Sequence, residues 1–219
     1  MAAGLAVTLL YVPADRPERV AKALGLDTDV VIVDLEDAVA PAAKEDARAG
    51  VPALLGARAD ARVQVRVNAA DTPWGAEDLA MVADLDDDIE VRLPKVDSPA
   101  TIDAAIGLLG PSRALHCLIE TAVGIEHAYD IARHSDSVAS VGLGEADLRS
   151  ELGVGDERGL DWSRGRIVVA ARAAGLPPPA HSVFTNVADL DGLAASTHAG
   201  RALGFVGRQA IHPAQLPVI

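Results

Sequence analysis

Residues 33–37 read Val-Asp-Leu-Glu-Asp, so Asp34, Glu36 and Asp37 crowd three carboxylates into four positions where the apolar run 30–33 ends. Carboxylates that close together repel one another unless a cation or a base sits among them. A helix cap with a solvated turn would account for any one of the three more easily than for all of them. Arg66 and Asn68 close another run, 63–68. The guanidinium fork offers paired donors to a substrate carboxylate or a developing enolate oxygen, and equally to a buried structural ion pair. Glu120 ends the run 115–121, and Asp147 lies just beyond the run 138–143. Two carboxylates leave several positions of an octahedral Mg²⁺ open to water and substrate, which is how this ion is usually held. The structural alternative for Asp147 is to cap a helix starting at Leu148.

Other signals are weaker. Gly142 and Gly144 lack the third glycine of a dinucleotide fingerprint. Lys95 has the chemistry of a Schiff-base lysine, but its strand parity is opposite to that of Arg92, which points to a supporting ion pair. The six histidines form no metal-ligand pair at helical spacing, and only His212, beyond the last run, is worth following. Cys117 falls in mid-run without an activating base and reads as core.

These residues need a scaffold that brings run ends together. Eight β-rich runs, 5–12, 29–34, 63–68, 89–96, 115–121, 138–143, 181–185 and 205–210, alternate with helix-like stretches. Asp15 before Pro17 and Ser98 before Pro99 are helix starts, and Gly175 and Gly204 sit where helices should stop. Repeated strand–helix units imply a parallel sheet, and eight of them favour a (β/α)8 TIM barrel spanning residues 1–219 as one domain. A doubly wound sheet is the alternative if one strand is lost. Alternation of Val63, Val65 and Val67 with Gln64, Arg66 and Asn68 favours the barrel, whose inner face can hold polar side chains. In such a barrel the active site lies at the C-terminal ends of the strands, where the four clusters fall. The Gly-rich charged stretch 148–160 reads as an active-site loop.

The composition narrows the function class. A net charge of −13 argues against a nucleic-acid partner. No apolar stretch approaches the roughly 20 residues of a membrane helix, and the N-terminal run lacks the basic region of a signal peptide. With one cysteine, no internal disulfide can form. A cytoplasmic enzyme is the expectation. Aromatics make up only 3% of the chain, so branched aliphatics must fill the core.

At these same residues the chain resembles the HpcH/HpaI aldolase/citrate lyase family, in its citrate lyase β-subunit-like branch. The matching text is Tyr11–Arg19, then Asp34-Leu35-Glu36-Asp37-Ala38-Val39 with Lys44, Val65-Arg66-Val67-Asn68 and Leu93-Pro94-Lys95-Val96. It continues through Ile119-Glu120-Thr121, Asp147-Leu148 with Leu152-Gly153, and Ala210-Ile211-His212-Pro213. The resemblance implies a TIM barrel holding Mg²⁺ on Glu120 and Asp147, with Glu120 also beside the substrate. Arg66 would bind substrate and be catalytic together with Glu36 and Asp37 of the acidic strand-two motif, Glu36 or a metal-bound water being the candidate base, and Arg16, Arg19 and Lys44 would lie near a CoA arm. It implies cleavage or formation of a citryl-, citramalyl- or malyl-CoA-like 3-hydroxyacyl thioester to acetyl-CoA and a 2-oxoacid, in a homo-oligomer, a trimer on the family's pattern. The alternatives are a class II aldolase acting on a free 2-oxoacid such as pyruvate plus an aldehyde, and a non-catalytic barrel subunit. Three departures stand out. Relatives continue past Ile219 into a C-terminal helical segment, Ala180-His181-Ser182 stands where they often have Ile-Asp-Gly, and Ala146 replaces an acid beside the metal aspartate.

Overall fold

The computed structural model describes residues 5–56, 58 and 61–219; residues 1–4 of the N-terminal run fall outside that description. Seven strands form one parallel sheet: β1 (Thr8–Pro13), β2 (Val30–Asp34), β3 (Val63–Arg66), β4 (Glu90–Leu93), β5 (Leu115–Ile119), β6 (Val138–Leu143) and β7 (Arg208–Ala210). Their order is β6-β5-β4-β3-β2-β1-β7. The connecting helices are α1 (Pro17–Leu24), α2 (Lys44–Gly56), α3 (Gly75–Ala83), α4 (Pro99–Leu109), α5 (Ala122–Glu126), α6 (Ala128–Ala132), α7 (Glu145–Leu152), α8 (Asp161–Ala173) and α9 (Leu190–Ala202). No helix among the described residues is long and apolar enough to cross a membrane.

The alternation in the strands sorts the side chains into two environments. Leu10, Val12, Val31, Val33, Val63, Val65, Val91, Leu93, Cys117, Ile119 and Val141 face the helices and form the main core with them. The other face starts with a small apolar group, Leu9, Val30 and Ile32. It continues with buried polar residues, among them Gln64, Arg66, Arg92, His116 and Gln209. That face is concave. The Tyr11 hydroxyl of β1 donates to Gln209 Oε1 at 3.0 Å. Gly142, on the strand at the opposite end of the order, comes so close that its missing Cβ would lie 3.8 Å from Gln209 Nε2.

Two sequence expectations are corrected here. The run 181–185 does not form a strand. Only His181 pairs, in a single parallel bridge to Arg208, and the Ser182 hydroxyl donates to Leu143 O at 2.6 Å across the seam to β6. Three consecutive prolines, Pro177, Pro178 and Pro179, precede it and have no N–H to give to a ladder. The ladder-forming sheet therefore has seven strands, not eight. The stretch 148–160 is also not an open loop. Glu145 and Asp147 in the first turn favour a helix N-terminus, Leu148 is buried, and Gly153 ends α7 with a left-handed φ of 65°. A 3₁₀ turn, Glu157–Leu160, then leads into α8.

Candidate active site

The C-terminal ends of the strands surround a cavity of about 360 Å³, lined by Tyr11, Asp34, Asp37, Arg66, Glu120 and Asp147 among others. The run ends of β2, β3 and β5 and the first turn of α7 thus converge as expected. They converge on Lys95, expected as a supporting ion pair and found as one, although strand parity alone would turn it away from Arg92's face. Lys95 Nζ lies 3.0 Å from Glu36 Oε1, 3.1 Å from Asp147 Oδ2 and 4.0 Å from Glu120 Oε1, while the Lys95 N–H donates to Glu120 Oε1 at 2.8 Å. Parity fails because β4 ends at Leu93 and Lys95 takes a left-handed φ of 51°, the only non-glycine residue described with a positive φ. That turn swings the side chain back over the strand ends. A left-handed conformation costs a lysine roughly 1–2 kcal/mol, and it aims both the N–H and the ammonium at the acidic cluster.

The cluster is short of positive charge. Burial, reinforced by Glu36 and Asp147 and opposed by Lys95, pushes Glu120 up to about 7. Burial also raises Glu36, with Asp37 adding to the rise and Arg66 and Lys95 resisting it. For Lys95, burial opposes the charge, but Glu36, Asp147 and Glu120 outweigh it and hold the ammonium protonated. Glu120 can lie as it does because Gly144 has no Cβ, which would overlap the Glu120 carboxylate. Among the described residues no three His, Cys, Asp or Glu side chains form a ready-made metal cage. A divalent ion here would rely on Glu120 and Asp147, with water or substrate filling the other positions. The acid excess around Lys95 suits such an ion.

Arg66 is heavily paired. Its Nε and Nη2 donate to the two oxygens of Asp34 at 2.8 and 2.6 Å, Nη1 lies 2.6 Å from Glu36 Oε2 and 3.4 Å from Asp37 Oδ2, and its guanidinium stacks 5.0 Å from the Tyr11 ring. Asp34 also accepts the Glu36 N–H at 2.9 Å. The crowded carboxylates of 34–37 therefore have their base, and the structural and substrate-facing readings of Arg66 both have support. Asp37 is the loosest member of the group, with its side chain 64% exposed.

The remaining predicted residues sit elsewhere. Lys44 is buried, and its ammonium donates to Leu35 O and Glu36 O at 2.8 and 2.7 Å, so it clamps the turn that presents Glu36 instead of meeting a ligand. Asn68 reaches the same Leu35 carbonyl at 3.0 Å and Asp78 at 2.6 Å, outside the cavity. Arg16 is exposed at the start of α1, 3.7 Å from Asp15, and Arg19 is exposed on the same helix. His212 caps the last 3₁₀ turn, its Nδ1 accepting from the Ala214 N–H. Cys117 is buried in the core, and burial pushes its thiol up to about 12.

Glu145 belongs to a different network. Burial would raise its pKa, but hydrogen bonds from His181 and Arg164 outweigh that and hold it at about 2, against an ordinary 4.5. A carboxylate depressed on folding stabilises the protein above its unfolded pKa and loses that contribution as pH falls through the folded one. The melting temperature should therefore drop between about pH 4.5 and pH 2. In a scan of Tm against pH, Glu145→Gln should flatten part of that drop, with Glu90, also held at about 2, and Asp29, also lowered, contributing further. A Glu145→Gln profile parallel to the wild type down to pH 2 would contradict this.

A helix-covered parallel sheet with an acid-lined cleft at its C-terminal rim defines an α/β enzyme-type scaffold in which a carboxylate set and an arginine face one cavity. The match to the HpcH/HpaI aldolase/citrate lyase family model runs over residues 7–213, and the chain belongs to this family. It is 38% identical to a (3S)-malyl-CoA thioesterase of Cereibacter sphaeroides (96% of this chain, 74% of the relative). It is 31% identical to the citrate lyase subunit beta of Leuconostoc mesenteroides subsp. cremoris (97% and 74%). The crystal structure of protein CitE from Mycobacterium tuberculosis in complex with magnesium, acetoacetate and coenzyme A superposes with a TM-score of 0.85 at 36% identity, covering 99% of this chain and 79% of that one.

Proposed function

We propose that this chain is a Mg²⁺-dependent carbon–carbon lyase that cleaves, or forms, a citryl-, citramalyl- or malyl-CoA-like 3-hydroxyacyl thioester, on a (β/α)8-type barrel in which residues 181–185 take the place of the seventh of eight strands. The carrying observation is the convergence of Glu36, Glu120 and Asp147 on one ammonium beside Arg66. In this reading Glu120 and Asp147 would hold an Mg²⁺ ion, which would act there as a Lewis acid toward the substrate.

The protein's own groups do the rest. Glu36, raised by burial, accepts the proton of the substrate hydroxyl. As the C–O⁻ electrons form the 2-oxoacid carbonyl, the C2–C3 bond of the acyl chain breaks and its electron pair passes to the thioester as an enolate. Arg66 offsets that negative charge, exchanging its long contact to exposed Asp37 for the reacting oxygen while Asp34 keeps the guanidinium in place. Returning the proton held by Glu36 to the enolate carbon gives acetyl-CoA and restores the Glu36 carboxylate. Lys95 balances the carboxylates around it, Lys44 fixes the Glu36 turn, and exposed Arg16 and Arg19 offer charge to the CoA phosphates.

The thioesterase name of the 38%-identical relative favours a second reading, hydrolysis of the same thioester. Incubation with malyl-CoA and Mg²⁺ separates them by mass spectrometry of the products. The lyase yields acetyl-CoA with glyoxylate, whereas a hydrolase yields free CoA with malate. Appearance of free CoA and malate alone would overturn the lyase assignment. Turnover only of pyruvate with an aldehyde would identify a class II aldolase, and no turnover at all a non-catalytic barrel.

A further inference from the structure

The concave side of the sheet encloses a second cavity, about 410 Å³, on the side of the strands' N-terminal ends. Its buried cation is Arg92 of β4, 4% exposed. Nε and Nη2 of Arg92 donate to Gln64 Oε1 at 3.0 and 2.7 Å, which is a neutral acceptor. Among the described residues no carboxylate lies within 4.0 Å of this guanidinium, and its Nη1 has no acceptor. The other charges nearby cancel. Arg62 donates to Glu90 Oε1 at 2.9 Å, and His116, which burial holds below its ordinary pKa, bridges Glu90 Oε2 and Ser140 Oγ at 2.8 Å each.

A buried charge without a counter-charge is costly, and proteins pair it or give it a ligand. The Arg92 guanidinium lies 5.9 Å from the Tyr11 ring, and its Nη1 is directed toward Gly142, where an added Cβ would make ordinary contacts, 4.0 Å from Nη1, 3.8 Å from Gln209 Nε2 and 3.6 Å from Leu118 Cδ1. Gln209 Oε1 is already taken by the Tyr11 hydroxyl, so its amide N–H groups face the same space. We propose that this cavity binds a small oxyanion, a carboxylate or a phosphate, paired with Arg92 and hydrogen-bonded by Gln209. Gln209 lines both cavities, so an anion held below would also steady Tyr11, whose ring carries Arg66, from beneath the candidate active site. The site requires no metal and does not depend on the reaction proposed above.

Isothermal titration and thermal melts of the full chain, with inorganic phosphate and separately with acetate, test the site without any turnover. The expected result is saturable binding of at least one anion with a rise in Tm. Arg92→Gln should weaken that binding by at least about tenfold, because the paired charge is gone. Gly142→Ala provides a second test that keeps the guanidinium. Its methyl meets its neighbours at ordinary distances of 3.6–4.0 Å, so the protein should fold, yet it takes up room beside Nη1. It should weaken the same anion. Tighter binding of phosphate than of acetate identifies a phosphate site, and the reverse order a carboxylate site. Wild-type binding in both variants, or no binding of either anion to the wild type, would overturn the proposal.

Discussion

Asp147→Ala will leave a folded protein that no longer binds Mg²⁺ and turns over its thioester at least about a hundredfold more slowly, the loss typical of removing one group that stabilises developing charge. Folding should survive because Asp147 sits on the first turn of α7 with its side chain 43% exposed, and its only ion-pair contact among the described residues is to Lys95. Surface changes of this kind usually shift stability by no more than about 0.5 kcal/mol. Mg²⁺ binding should be lost because Glu120 would be left as the one proposed ligand, with Glu36 already paired to Arg66 and Lys95. Calorimetric titration with Mg²⁺, a melting curve and the product assay read the three parts separately. Wild-type turnover in the presence of a chelator would remove the metal from the mechanism altogether.

Arg66→Met should damage both fold and chemistry. It strands the Asp34 carboxylate, 1% exposed, without its bidentate partner, and breaking a buried pair by removing one side costs about 3–5 kcal/mol. Asp34 would keep only the Glu36 and Ala38 N–H groups, at 2.9 and 3.3 Å. Arg66→Lys isolates the chemical part, because an ammonium keeps the charge but cannot reach Asp34 through a fork and Glu36 together. Its stability loss should be smaller than that of Arg66→Met, while turnover still falls by roughly two orders of magnitude. Urea denaturation and kcat measured on both variants give the comparison. An Arg66→Met midpoint equal to the wild type would mean that the backbone N–H groups alone satisfy Asp34.

Much of this arrangement is legible in the residue pattern. Alternation in Val63–Arg66 predicts a strand with a dry face and a polar concave face, and β3 has that form. Carboxylates at the ends of apolar runs predict side chains gathered at one rim, because parallel strands present all their C-terminal ends on the same side. The ion pairing of Lys95 agrees with its reading as a supporting ion pair, but its direction is not legible from strand parity, for a backbone reason. Parity arguments hold only while the strand lasts, and a left-handed residue after its end reverses the direction of the side chain. A polar residue near a rim can serve the main chain as readily as a ligand: Lys44, expected near a CoA arm, holds the Leu35 carbonyl, as does Asn68. The run 181–185 has a strand-like composition, but pairing depends on what its neighbours can donate, and three prolines lead into it.

The seam between β6 and β7 has a consequence for motion. Elsewhere each strand is stitched to its neighbours by a ladder, whereas this junction is held by the His181 bridge, the Val206 N–H donating to Pro179 O, the Gln215 amide donating to Phe184 O and the Ser182 hydroxyl. Sub-global opening begins where main-chain bonding is thinnest, so amide protons around residues 180–187 should exchange with solvent deuterium before those of β2 to β5. Such breathing would give solvent a side entrance to the concave interior that leaves the ladders of the central strands intact.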